Sequence, residues 1–175
     1  VKVSLNPENV IVLCSQCHNE EHMRFTSYEK KVYIVYGSPF SGIREYCEEM
    51  AGMYDLLIDM DSIYEMITMN QRYHKPQRMF PVVSVVHRCL LDIVRTRNGE
   101  WINAFVMGGY QNKTIRERMK ERLRAELIWI DTPKEKCIEN MEKVEGIDQK
   151  FWRGIIEEYW KEFDELNDVS MDEGR

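Results

Sequence analysis

The stretch KVYIVYGSPFSGIREYCEEM, Lys31 to Met50, decides how the rest of the chain is read. Lys31 to Gly37 is β-branched and aromatic, with no polar alternation, as a strand buried on both faces must be. It stops at a glycine. A short polar loop follows, and SGIREYCEEMAGMY then reads as a helix with Gly52 near its end. The same alternation continues outward. DLLIDMD (Asp55 to Asp61) is a short apolar strand running into acids, followed by a short helix from Ser62 to Asn70. Pro76 and Pro81 bracket a break before a long amphipathic helix, Val82 to Arg97. After the Asn98-Gly99 turn, Trp101 to Gly109 is a third strand. Lys113 to Arg124 is a basic helix, and Ala125 to Asp131 is a fourth strand closed by Thr132-Pro133. Lys134 to Lys143 and Asp148 to Leu166 are helical. Four strands with helices between them predict an α/β fold: a small, doubly wound, mainly parallel sheet. Such sheets bind ligands at the carboxyl ends of their strands. Chemistry is therefore expected beyond Gly37, at Asp59 and Asp61, at Gly108-Gly109 and at Asp131 to Pro133.

The loop after the first strand, GSPFSGIR, is close to the phosphate-loop pattern G-x-x-x-x-G-K-[ST]. In that pattern the glycines let backbone N–H groups cup a phosphate at a helix N-terminus. The lysine reaches the terminal phosphates, and the hydroxyl holds magnesium. Gly37 and Gly42 have the spacing and the context, and Ser38 and Ser41 lie between them. The lysine position holds Ile43 and the hydroxyl position holds Arg44. The cradle is expected to persist without its charge and its metal ligand, with Arg44 as a partial substitute for the lysine. At the end of the second strand, Asp59 and Asp61 emerge beside where a triphosphate would lie. Asp61 can serve as a general base or organise magnesium waters, or it can cap the helix beginning at Ser62. For Asp59 the structural role is the expectation.

Charge and length narrow the possibilities. The chain has 175 residues and a net charge of −6, which disfavours bulk coating of nucleic acid. Residues 134–175 carry 13 acids against 7 bases, so the remainder is neutral. Two basic clusters stand out within it, Arg72 to Arg97 and Lys113 to Arg124. They read as solvated helix faces or as a cationic surface for phosphates. No apolar run approaches the roughly 20 residues of a membrane span, and the start does not read as a signal peptide, so a cytoplasmic protein is expected. His87, within an apolar helix, reads as a satisfied histidine. Cys47, Cys89 and Cys137 read as buried thiols, and Met50, Met53, Met60, Met66 and Met69 as core. The aromatic residues of the last helix, Trp152, Tyr159, Trp160 and Phe163, suggest that it docks firmly or forms a partner face.

Four segments, VYIVYGSPFSG (Val32 to Gly42), DLLIDMDSI (Asp55 to Ile63), INAFVMGG (Ile102 to Gly109) and LIWIDTPKEKCIENM (Leu127 to Met141), together resemble the small kinase-like NTPases with a phosphate loop that are common in bacteriophage genomes. These are related to polynucleotide kinases. The resemblance spans Lys31 to Trp160. It implies ATP with magnesium as cofactor, and a nucleotide or nucleic-acid end as partner. It also implies a role for Asp61 or Asp59 toward the phosphate-acceptor hydroxyl, and a lid whose arginines clamp phosphate. Arg153 is the one arginine in the lid stretch. With Ile43 and Arg44 in place of the usual pair, phosphoryl transfer is expected to be weak or lost. A non-catalytic protein-interaction module on the same fold is the alternative.

Ahead of this domain, taken as residues 29–175, residues 1–28 hold the one close cysteine pair. NPENVIVLCSQCHNEEH contains N-x4-C-x2-C-H-x3-H, from Asn9 through Cys14, Cys17, His18 and His22, and resembles the second half of an HNH endonuclease module. The resemblance implies a zinc site at Cys14 and Cys17 and a metal role for the histidines. A closed tetrahedral zinc needs four ligands, and this sequence holds no second Cys-x-x-Cys. The expectation is therefore at most one zinc, bound by Cys14, Cys17 and His22 and completed by His18 or by a second protomer in a homodimer. Nuclease activity would require completion by another chain.

Overall fold

A computed structural model describes residues 29–168. Four strands and six helices alternate along it: β1 (Lys31–Tyr36), α1 (Ile43–Met50), β2 (Leu56–Ile58), α2 (Met60–Thr68), α3 (Phe80–Arg95), β3 (Asn103–Gly108), α4 (Lys113–Leu123), β4 (Glu126–Trp129), α5 (Lys134–Glu142) and α6 (Gln149–Asp168). The sheet runs in the order β2-β3-β1-β4 with every pairing parallel. β1 is central. It pairs with β3 from Lys31 opposite Asn103 to Tyr36 opposite Gly108, and with β4 from Tyr33 opposite Glu126.

Parallel strands need crossovers, and the crossover helices cover both faces of the sheet. Alternate residues Val32, Ile34, Ala104 and Val106 pack with Leu91 and Val94 of α3 and Leu123 of α4. The opposite residues Val35, Phe105 and Met107 pack with Cys47 of α1. This two-sided burial is why the strands read as unbroken apolar runs. Truncating a fully buried member such as Ile34 would cost about 2–5 kcal/mol. α5 and α6 form a hairpin with its own core of Cys137, Met141, Trp152 and Ile156, and that core also takes in Phe40 of the glycine loop and Tyr73. Trp152, Tyr159 and Phe163 are buried, so α6 is docked firmly. Among the described residues no helix is long and apolar enough to cross a membrane.

Several expectations need correction. β2 ends at Ile58 and α2 starts at Met60, two residues before Ser62, because Asp59 supplies the cap. α3 starts at Phe80, with Pro81 in its first turn, where a missing N–H costs nothing. Met50, Met53, Met66 and Met69 are exposed; the α2–α3 contact is filled instead by Ile63, Tyr64 and Val83, with Met60 half-buried against them. Cys89 is exposed, while Cys47 and Cys137 are buried. Cys14, Cys17, His18 and His22 lie outside the described residues.

Candidate phosphate site at the carboxyl edge of the sheet

The loop of residues 37–42 links the carboxyl end of β1 to the N-terminus of α1, and two glycines fix its course. A Cβ on Gly37 would come within 2.9 Å of both the Ile130 carbonyl oxygen and Ser41 Oγ, so only glycine lets β1 pass that close to the chain following β4. Gly42 has φ +95 and is the residue before α1. Phe40 also sits in the left-handed region, at φ 62, which costs a non-glycine residue about 1 kcal/mol or more. Its surroundings impose that conformation. Its ring stacks on Tyr73 at 4.8 Å and meets Trp152 edge-on at 5.4 Å, and its carbonyl accepts from Asn140 at 3.1 Å. The Ser41 carbonyl accepts from Thr132 Oγ1 at 2.7 Å, and the Ser41 N–H donates to Ser38 O at 3.1 Å. What the loop retains for a ligand are the first N–H groups of α1, which no described side chain caps, and the Ser41 hydroxyl. Ser41 is only 6% exposed, and its Oγ has no hydrogen-bond partner among the described residues.

Ser41 and the glycines line a cavity of about 860 Å³, within the usual size of a ligand site. The structure brings Gly37, Ser38, Ser41, Gly42, Arg44, Asp59 and Asp61 together around it. Arg153 lies elsewhere, paired with Glu142 on the α5–α6 hairpin. The cavity takes Asn140, Lys143 and Trp152 from that hairpin instead. Ile43 also lines it while packing against the cluster of Val35 and Cys47, so the lysine position is occupied by a half-buried core side chain. Arg44 is held by Glu48 at 2.5 Å and lies 3.5 Å from Glu65.

Asp59 has the structural role expected of it, and the cap considered for Asp61 falls to Asp59 instead. Asp59 is the cap of α2, accepting from the Asp61 and Ser62 N–H groups at 3.1 and 3.2 Å and from the Ser62 hydroxyl at 2.9 Å. Asp61 is thereby free of capping, in the first turn and lining the cavity. Residues missed in the sequence complete the surroundings. Arg72 donates to Asp59 at 2.8 Å and lies 3.8 Å from Asp61. Lys75 pairs with Asp61 at 2.5 Å. Burial would push the Asp59 carboxyl up, but the Arg72 charge and hydrogen bond, with the Asp61 amide and Ser62 hydroxyl, hold it below the usual range. The signal for these cations was the basic run beginning at Arg72. His87 lines the cavity too, and its buried Nε2 has no partner among the described residues, so it is not the satisfied histidine expected. Burial pushes its pKa down against the pull of Asp59. No group of three or more His, Cys, Asp or Glu among the described residues is arranged to hold a metal.

This arrangement can hold an anion: uncapped amides, a buried hydroxyl and the side chains of Arg44, Arg72, Lys75 and Lys143 line one cavity, alongside the carboxylates of Glu45, Asp59 and Asp61. The donor set fits a phosphate better than it fits a phosphate with magnesium, because the usual hydroxyl ligand is Arg44. No family model matches the chain, and no curated protein does. Among solved structures it is similar to a chain in "Structure of the Pnkp1/Rnl/Hen1 RNA repair complex", with a TM-score of 0.59 at 12% identity. The likeness covers 81% of this chain and 46% of that one, so the chain spans about half the neighbour's length. At this identity the likeness bears on the fold alone, an α/β arrangement around a four-stranded parallel sheet.

Proposed function

We propose that the chain binds the phosphate of a nucleotide or a nucleic-acid end on the loop of residues 37–44, with phosphoryl transfer weak or lost. One observation carries this reading. Ser41 lines the cavity and its Oγ is buried without a partner among the described residues, and leaving a buried hydroxyl unsatisfied costs about 1–3 kcal/mol. A phosphate seated on the amides of Gly42 to Arg44 is a natural acceptor for it. Asp61, which does not cap α2 and is paired with Lys75 at 2.5 Å, would receive a proton from an acceptor hydroxyl or organise magnesium waters in this reading. When bound, ATP with magnesium would supply the phosphoryl group and part of the charge neutralisation. The neighbour's name, an RNA repair complex, is consistent with a nucleic-acid end as partner.

A second reading, a non-catalytic interaction module, is favoured by Arg44. The one cation in the loop is engaged by Glu48 and Glu65 and is poorly placed to replace a lysine. Calorimetry with ATP, with and without magnesium, followed by turnover measurements on the same sample, separates the two. Binding lost in Gly42→Val with slow turnover supports the first reading. No binding at millimolar nucleotide supports the second. For residues 1–28 we propose one zinc on Cys14, Cys17 and His22, completed by His18 or a second protomer. Metal analysis of chelator-free protein tests it, with less than about half an equivalent per chain counting against it.

A further inference from the structure

Beside the phosphate cavity lies a second one of about 580 Å³, lined chiefly by rings: Tyr64, Tyr73, Phe80, Phe151 and Trp152. Tyr73, Lys75 and Trp152 line both cavities, so the two share a wall. Lys75 spans it. Its Nζ is 2.5 Å from the Asp61 carboxylate and 4.9 Å from the centroid of the Trp152 ring. Phe80 and Phe151 come from different helices, α3 and α6, yet are 54% and 56% exposed. Neither belongs to a core cluster of the described residues; Phe151 meets the Trp152 ring edge-on at 5.6 Å, and both phenylalanines line the cavity while about half of each stays exposed. Gln77 supplies an amide beside them.

We propose that this second cavity seats the terminal base of a single-stranded nucleic-acid end whose sugar and phosphate pass Lys75 into the phosphate cavity. The inference rests on the phosphate reading and names its substrate class. Aromatic walls accept the π-face of any base. An amide can hydrogen-bond a base edge. A cation at the junction meets the backbone charge where it crosses from one cavity to the other. A base can enter such a cavity only when unstacked and unpaired, which selects a frayed or single-stranded end over a blunt duplex. The net charge of −6 fits recognition of an end rather than of a long tract.

The test uses the full chain and short oligonucleotides carrying 2-aminopurine, or an abasic residue, at either end. The expected result is quenching of 2-aminopurine at one end only. Affinity should be about tenfold weaker for the abasic end. Phe151→Ala and Phe80→Ala, both half-exposed and tolerable to the fold, should remove that tenfold difference, and Phe151→Tyr should restore it. Inorganic phosphate should bind all of these variants as it binds the parent. Equal affinity for base-bearing and abasic ends, or for a blunt duplex, would overturn the base cavity while leaving the phosphate reading intact. So would failure of any oligonucleotide to bind a protein that still binds phosphate. Base-dependent binding in a protein that ignores phosphate would uphold the base cavity and overturn the phosphate reading. Loss of both would overturn both.

Discussion

The glycine loop of residues 37–44 and the connection carrying Arg72 and Lys75 face the same cavity, and each has what the other lacks. The loop has geometry without available charge: Gly37 and Gly42 permit its course, its carbonyls are tied to Thr132 and Asn140, and its own arginine is spent on glutamates. The connection has charge without a cradle, its two cations lying against Asp59 and Asp61. In this cavity the backbone geometry and the charge come from different segments of the chain. Backbone geometry is fixed by contacts with the core, whereas a cation on a long side chain can come from any segment that reaches the cavity.

The comparison can be broken first on the loop side. Gly37→Val would drive a side chain into the Ile130 carbonyl and Ser41 Oγ, and a loss of about 3 kcal/mol is expected in urea unfolding. Lys75→Ala, a partly exposed ion pair, should cost less than about 1 kcal/mol in the same assay. Equal losses would erase the distinction between fixed geometry and movable charge.

Asp59 joins the two regions, since it caps α2 and holds Arg72. Asp59→Ala should lose about 2 kcal/mol through the cap and the stranded guanidinium. Its carboxyl is held below the ordinary value of 3.8. A depressed folded-state pKa contributes stability that is full above the unfolded value and disappears as pH falls through the folded one. Thermal melts below about pH 4 should therefore show wild type losing an increment that Asp59→Asn lacks. Parallel pH profiles would contradict the assignment.

Charge relocation is tested by phosphate affinity. Arg72→Ala with Lys75→Ala should weaken inorganic phosphate binding about tenfold, about 1.4 kcal/mol, and Arg44→Ala should change it by less than about twofold. The reverse order would return the charge to the loop. A modest effect is expected from restoring the pattern. Ile43→Lys with Arg44→Ser should raise nucleotide affinity a few fold, partly offset by about 1 kcal/mol of packing lost against Val35 and Cys47.

The sheet was legible in the sequence because two-sided burial leaves continuous apolar runs, and β1 and β3 are such runs. Asp55 to Asp61 reads as one strand, whereas β2 stops at Ile58, because Asp59 already caps α2. Whether a D-x-D serves as cap at its first or its second residue depends on where the strand stops, which local pattern does not fix. The glycine loop was legible from its spacing. Arg72 and Lys75 stand out in the sequence only as part of a basic run, and their meeting with His87 and Trp152 is not legible there, because a turn and two distant helices bring them together only when the chain folds. Arg153 was a reasonable expectation from its position on the hairpin, but Glu142 holds it outside the cavity. Met66 and Met69 follow helical spacing yet lie exposed, since Ile63, Tyr64 and Val83, with Met60 half-buried against them, already fill the contact between α2 and α3.

That the loop holds phosphate without a lysine is tested most directly by titrating isotope-labelled protein with inorganic phosphate and following backbone amide resonances. Saturable shifts should be largest at Gly42, Ile43 and Arg44, smaller near Arg72 and Lys75, and absent in a Gly42→Val variant that remains folded. Shifts confined to exposed lysines, or none at the start of α1 at saturating phosphate, would contradict the account.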